Sequence, residues 1–211
     1  MTDSVPQTAD AGANLGGWPP RASLLSEVRA ATREAHERLE QQLDLEHQAS
    51  LERYWVFVRA TCAVVRPLEP SLTAFLGPIF AAPEPGTRVS RLLADLAHLG
   101  PEDPPDDAPG MEAVDSLAAA FGAAYVLQGS LLGGAVIARA VRDRLGLADQ
   151  GTQYLRLYAG GLAHAWRQFV NALDAFGAHG SDDERRVTKA MAGQTFRAFA
   201  AALEREGLTT G

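Results

Sequence analysis

From Ser116 to Ala138 the chain runs without one charged side chain, between Asp115 and Arg139. Roughly 20 apolar residues suffice to span a bilayer, so a run of this length can either cross a membrane or lie buried in a protein core. It cannot be an ordinary surface helix, which needs a polar face. The stretch is rich in Ala and Gly rather than Leu and Ile, and it contains Gln128 and Ser130. Gly122, Gly129, Gly133 and Gly134 also lie in it. Glycines four apart occur in paired membrane helices too, so they do not separate the readings. The low Leu and Ile content does: the run reads as a helix buried on most sides, with no membrane expected. Gly129 and Gly133 then put bare backbone on one helical face. A second helix can pack closely there, or a flat ligand can lie against it.

The rest of the chain also reads as helix. No sustained alternation of β-branched residues occurs, and no Asn-Gly or Asp-Gly hairpin turn. Ser23 is placed to cap a helix whose apolar stripe is Leu25, Val28, Thr32, Ala35, Leu39 and Leu43. Ser50 begins another helix at Leu51, and Pro67 is expected to kink or end it after Arg66. A short helix from Pro70 to Leu76 and an amphipathic one from Thr87 to Leu99 follow. The Pro- and Asp-rich stretch Gly100–Gly110 is expected as a surface loop. Helix is expected from Met111 to Leu145 with Gly146 as its stop, and from Thr152 to Phe176. Ser181 and Glu184 form a capping box that opens the last helix, which ends near Glu206. The fold class is all-α. At about 100–200 residues per domain, the 211 residues divide into a flexible leader (1–20), one helical domain (21–207) and a short tail (208–211).

Charge excludes one large class of partner. The chain carries 26 acidic and 19 basic residues, a net charge of −7, and generic nucleic-acid binding needs the opposite balance. All the basic residues except Lys189 are arginine, whose rigid fork suits it to holding carboxylates. Cys62 is the only cysteine, so one chain can build neither a disulfide framework nor a cysteine metal site. It reads as a small buried hydrophobe in a reducing cytoplasm. Met1–Pro20 lacks the basic and apolar regions of a secretory signal.

The chain has no Walker A loop, no dinucleotide-binding glycine fingerprint and no HExxH. It has no nucleophile elbow either. None of the five histidines stands near a second at ligand spacing, so a di-metal carboxylate bundle is unsupported. His36 lies at the edge of the first helix's apolar stripe, with Arg29 two turns before it on nearly the same face. Three readings are open. It is a half-exposed histidine, one member of a two-ligand pair with Glu40, or a lone axial ligand to haem iron. Two ligands are few for a metal site. Haem needs only one protein bond to iron, an apolar slot and cations for its propionates.

Three segments together resemble the haem oxygenase family, most closely its bacterial, biliverdin-producing members associated with bacteriophytochromes. Leu25–Glu40 resembles the proximal helix, Tyr125–Gly134 the distal helix, and Gly161–Leu173 a late helix. The similarity covers about residues 23 to 205. It implies a multi-helix bundle with haem between the proximal and distal helices. It further implies that His36 ligates iron, that Gly129 and Gly133 lie over the haem, and that Arg29 and Arg167 contact its propionates. Where other family members carry a distal glutamate or aspartate, this chain has Gln128 and Ser130. Ser130 with bound water is expected to organise the distal side instead.

The activity implied is cleavage of haem, both cofactor and substrate, to biliverdin, carbon monoxide and iron. Dioxygen is the co-substrate, and a ferredoxin-like protein or another external donor supplies electrons. A bacteriophytochrome is the implied bilin acceptor. An acidic electron donor would need a local basic patch, with Arg139, Arg142 and Arg144, or Arg185, Arg186 and Lys189, as candidates. Two alternatives share the fold: a haem-binding storage or sensor module, and a helical interaction protein without cofactor.

Overall fold

The computed structural model describes residues 22–79, 87–100, 107, 110–158 and 161–208. Among the described residues are six helices and no strand: α1 (Leu24–Leu43), α2 (Leu51–Leu76), α3 (Thr87–Leu99), α4 (Leu117–Leu145), α5 (Leu162–His179) and α6 (Asp182–Arg205). The leader and most of the expected 100–110 loop lie outside the described residues.

Serine caps set four of the helix starts. The side chains of Ser23, Ser50, Ser116 and Ser181 accept from the backbone N–H of Ser26, Arg53, Ala119 and Glu184 respectively. Each satisfies a donor that has no partner within its own helix. At Ser181 the capping box is complete, because Glu184 accepts in return from the Ser181 N–H.

α4 packs against α6, α2 and α5, while α1 packs on α6 and α5, and α3 on α2. α4 is the one described helix long and apolar enough to cross a membrane, and 56% of its most apolar stretch is buried inside the protein. Gly122 permits the close approach of α6: a Cβ there would lie 2.3 Å from the Thr188 carbonyl oxygen. The Thr188 hydroxyl donates to Ala118 O at 3.0 Å across the same contact. α1 is tied to α6 by Glu27, which accepts from Arg185 and, at 3.0 Å, from Lys189. Arg185 holds the Glu27 carboxyl below the usual carboxylate range, and Lys189 adds to this. Cys62 lies fully buried in α2, where burial pushes its thiol pKa up.

Three boundaries differ from the sequence expectation. Pro67 does not end α2, which continues through Pro67 and Pro70 to Leu76. An interior proline costs about 3 kcal/mol. Val64, Val65, Leu68, Leu72 and Leu76 are all buried around the two prolines. At about 1.5–3 kcal/mol each, that burial outweighs the cost. α4 starts at Leu117 rather than Met111, because Ser116 takes the capping position. α5 starts at Leu162 rather than Thr152. The Asp95 carboxylate on α3 accepts from the N–H of Gln153 and Tyr154 at 2.8 and 2.9 Å, and Arg91 donates to the carbonyls of Gln153 and Arg156. Backbone groups a helix would have used are thereby held in a turn.

Candidate haem-binding site

The spacing 29, 33, 36, 40 places Arg29, Arg33, His36 and Glu40 along one face of α1. The spacing 125, 129, 133 does the same for Tyr125, Gly129 and Gly133 on α4. Between these faces lies a cavity of about 790 Å³, which all of these residues line together with Ser130. That is within the roughly 300–1,000 Å³ typical of small-molecule sites. α6 contributes Phe196, Phe199 and Leu203, α5 contributes Trp166, and α2 contributes Phe57 and Thr61. The walls are thus largely apolar, with cations on α1.

His36 is held from two sides. Its ring meets Phe196 edge-on, with centroids 5.6 Å apart. Its Nδ1 lies 3.5 Å from a Glu40 carboxylate oxygen, and its side chain remains 51% exposed. An N–H on Nδ1 pointing at Glu40 leaves Nε2 as a lone-pair donor.

Gly129 and Gly133 differ from Gly122 in what surrounds them. A Cβ built on either meets nothing within 4 Å. No neighbouring helix requires them to be glycine, and their bare backbone borders the cavity.

Two polar side chains of α4 are already bonded. Gln128 is 3% exposed and does not line the cavity; its Nε2 donates to the Tyr158 hydroxyl at 3.0 Å. The Ser130 hydroxyl donates to Leu127 O at 2.9 Å. Burial pushes the Asp95 carboxyl up against the opposing pull of its two backbone donors. The Tyr54 hydroxyl donates to Gly151 O at 2.6 Å, and burial raises its pKa well above the usual phenol range.

Of the residues singled out from sequence, the structure brings Arg29, His36, Gly129, Ser130 and Gly133 to one cavity. Arg167 is exposed on α5 and does not line it. Sequence reasoning missed Arg33, although its position between Arg29 and His36 on one stripe was the available signal. Tyr125 and Trp166 lie within the segments that carry the family resemblance, which gave them no role; their ring centroids are 6.3 Å apart. Of the two basic clusters, Arg185, Arg186 and Lys189 form no free patch. Arg185 is 4% exposed and bonded to Glu27, Gly177 O and Ala22 O, while Lys189 bonds Glu27 and Arg186 pairs with Asp183. Arg139 and Arg142 are exposed around Asp143, and Arg144 donates to His47 O.

No family model matches the chain. The chain is 33% identical over 188 residues to heme oxygenase PigA of Pseudomonas aeruginosa, covering 88% of this chain and 94% of that protein. Among solved structures, the NO- and CO-bound heme oxygenase of Neisseria meningitidis is similar with a TM-score of 0.75 at 22% identity, over 90% of this chain and 95% of that one. Heme oxygenase from Leptospira interrogans is similar with a TM-score of 0.70 at 19% identity, over 87% and 100% respectively. The two structures share the fold, and the relative one-third identical along almost its full length settles the family: the chain belongs to the haem oxygenase family of oxidoreductases.

Proposed function

We propose that the protein cleaves haem to biliverdin, carbon monoxide and iron, using dioxygen and electrons from an external donor. The observation that carries this reading is that His36 and the open Gly129–Gly133 backbone line one largely apolar cavity. A flat tetrapyrrole fits this combination: a nitrogen donor on one helix, two glycines a turn apart on the second, and cations on the first.

When bound, haem supplies the iron that activates dioxygen and the macrocycle that is opened. His36 offers Nε2 to the metal, and Glu40 orients the ring through Nδ1. Phe196 limits rotation of the imidazole. Gly129 and Gly133 leave room for dioxygen, which larger side chains would exclude. Arg29 and Arg33, four residues apart on the α1 face, hold the propionates through charge-assisted hydrogen bonds. The resemblance implied that role for Arg29 and Arg167; Arg33 stands beside Arg29 on the cavity, which Arg167 does not line. Ser130 supplies the polar contact on the α4 wall. Arg139 and Arg142 offer an acidic ferredoxin-like donor its basic contact. The biliverdin serves as chromophore for a bacteriophytochrome, in the cytoplasm.

The test is haemin titration followed by reduction, on wild type and His36→Ala. Wild type is expected to give a sharp Soret band that a bilin band replaces under air with ascorbate or ferredoxin. His36→Ala is expected to lose the ligand-dependent spectrum. A stable ferrous spectrum without bilin would identify a storage or sensor module. No Soret change on adding haemin would overturn haem binding altogether.

A further inference from the structure

Among the described residues, every Arg, Lys, Asp or Glu that lines the cavity belongs to α1: Arg29, Arg33, Glu37 and Glu40. The walls from α2, α4, α5 and α6 contribute none. Along α1 the four are sorted by sign, with both cations before His36 and both carboxylates after it. At 1.5 Å of rise per residue, the midpoint of the cations lies about 11 Å along the helix from that of the carboxylates.

These charges do not neutralise one another. Glu34 and Arg38, four residues apart on α1, form an ion pair. Arg33 and Glu37 have the same spacing and are both exposed, yet among the described residues no ion pair joins them. The order of the residues favours this, because a glutamate pairs better at this spacing when it precedes its cation. Glu40 is already engaged, 3.5 Å from His36 Nδ1. Glu37 is thus the carboxylate at the cavity edge that is left for a ligand to meet. The α2 and α6 walls offer a carboxylate nothing. They consist of Phe57, Ala60, Phe196, Phe199, Leu203 and Thr61. The Thr61 hydroxyl hydrogen is given to Phe57 O at 2.7 Å, so it cannot also be given to a ligand.

We propose that the cavity selects iron porphyrins whose carboxylates all stand on one edge, with Glu37 as a specificity-determining residue that turns away a carboxylate beyond the Arg29–Arg33 end. The proposal rests on the haem reading above and names the substrate class within it. Haem qualifies: its two propionates stand on adjacent pyrroles, and the other two pyrroles carry vinyl and methyl groups. A tetrapropionate iron porphyrin of the coproporphyrin class does not. With two of its carboxylates at Arg29 and Arg33, the others meet either the like charge of Glu37 or the α2 and α6 walls. An ionised carboxylate buried there without a donor is strongly disfavoured.

Soret titrations of the full haem-free chain test this with three ferric porphyrins: haemin, deuterohaemin and iron coproporphyrin III. Deuterohaemin keeps both propionates of haem and lacks the vinyls, so it separates lost vinyl contacts from added charge. Wild type is expected to bind haemin and deuterohaemin within severalfold of each other, and iron coproporphyrin III about tenfold or more weaker. Glu37→Gln is expected to strengthen coproporphyrin binding about threefold, with a smaller change for haemin, and Glu37→Arg to strengthen it further. Both gains shrink at high salt, because Glu37 is exposed. An exposed position of this kind tolerates substitution, so both variants retain the fold. Equal wild-type affinity for haemin and iron coproporphyrin III overturns the proposal. So does a Glu37→Arg effect that is the same for both porphyrins. If none of the three shifts its Soret band, the haem reading itself falls, and this inference with it.

Discussion

Replacing Gly129 by alanine should stabilise the haem-free protein and weaken its hold on haem. A Cβ at Gly129 meets no atom within 4 Å, so the empty fold pays no steric penalty. Alanine in a helix interior is about 0.5–1 kcal/mol better than glycine. For a chain of this size that is a rise in Tm of about 1–4 °C. Gly122, seven residues earlier in the same helix, gives the opposite sign. Its added Cβ would lie 2.3 Å from Thr188 O and 2.9 Å from Met191 Cβ, and overpacking of this kind costs about 1–3 kcal/mol. The assay is thermal unfolding without haem, followed by haemin titration of each variant at the Soret band. Gly129→Leu extends the argument, since four side-chain carbons then enter the space assigned to haem. Its haem affinity is expected to fall about tenfold or more, equivalent to about 1.4 kcal/mol. A lowered haem-free Tm for Gly129→Ala would refute the geometric reasoning. Wild-type haem affinity and turnover in Gly129→Leu would refute the assignment of that face to the ligand.

Arg29→Ala and Arg33→Ala should each weaken haem binding severalfold, and the double variant more, with the loss shrinking at high salt because both residues are exposed. Haemin titrations at two ionic strengths check this, and an equal loss for Arg167→Ala would count against the assignment. Glu27 should contribute to acid sensitivity. Its pKa in the fold is held below the 4.5 of a free carboxyl, chiefly by Arg185. Its stabilisation is therefore complete above about pH 4.5 and is lost as pH falls through the lowered value. Glu27→Gln should be less stable than wild type at neutral pH, and its urea midpoint should fall less steeply on acidification below pH 4.5. Parallel pH profiles for the two proteins would remove Glu27 from the account.

Much of the architecture was legible because its causes are local. A serine that caps, a glutamate three residues on and an apolar repeat all act within one or two turns, so α1, α3 and α6 begin and end within a few residues of expectation. The α1 stripe carrying Arg29 and His36, and the α4 face carrying Gly129 and Gly133, were readable for the same reason. Sequence spacing alone decides which residues share a helical face.

What lay beyond the sequence depends on neighbours far along the chain. Asp95 and Arg91 on α3 hold the 153–156 backbone in a turn and so delay α5. Buried side chains around Pro67 and Pro70 carry α2 through two residues that locally oppose it. Gly122 and Gly129 are the same residue in the same helix, yet one presses against α6 and the other borders a cavity. Arg33 joined that cavity and Arg167 did not. The sequence determined by itself the helices and the faces they present, because those follow from contacts a few residues apart. Only the tertiary structure decided which faces meet and which remain open, because that depends on the packing of side chains distant in the chain.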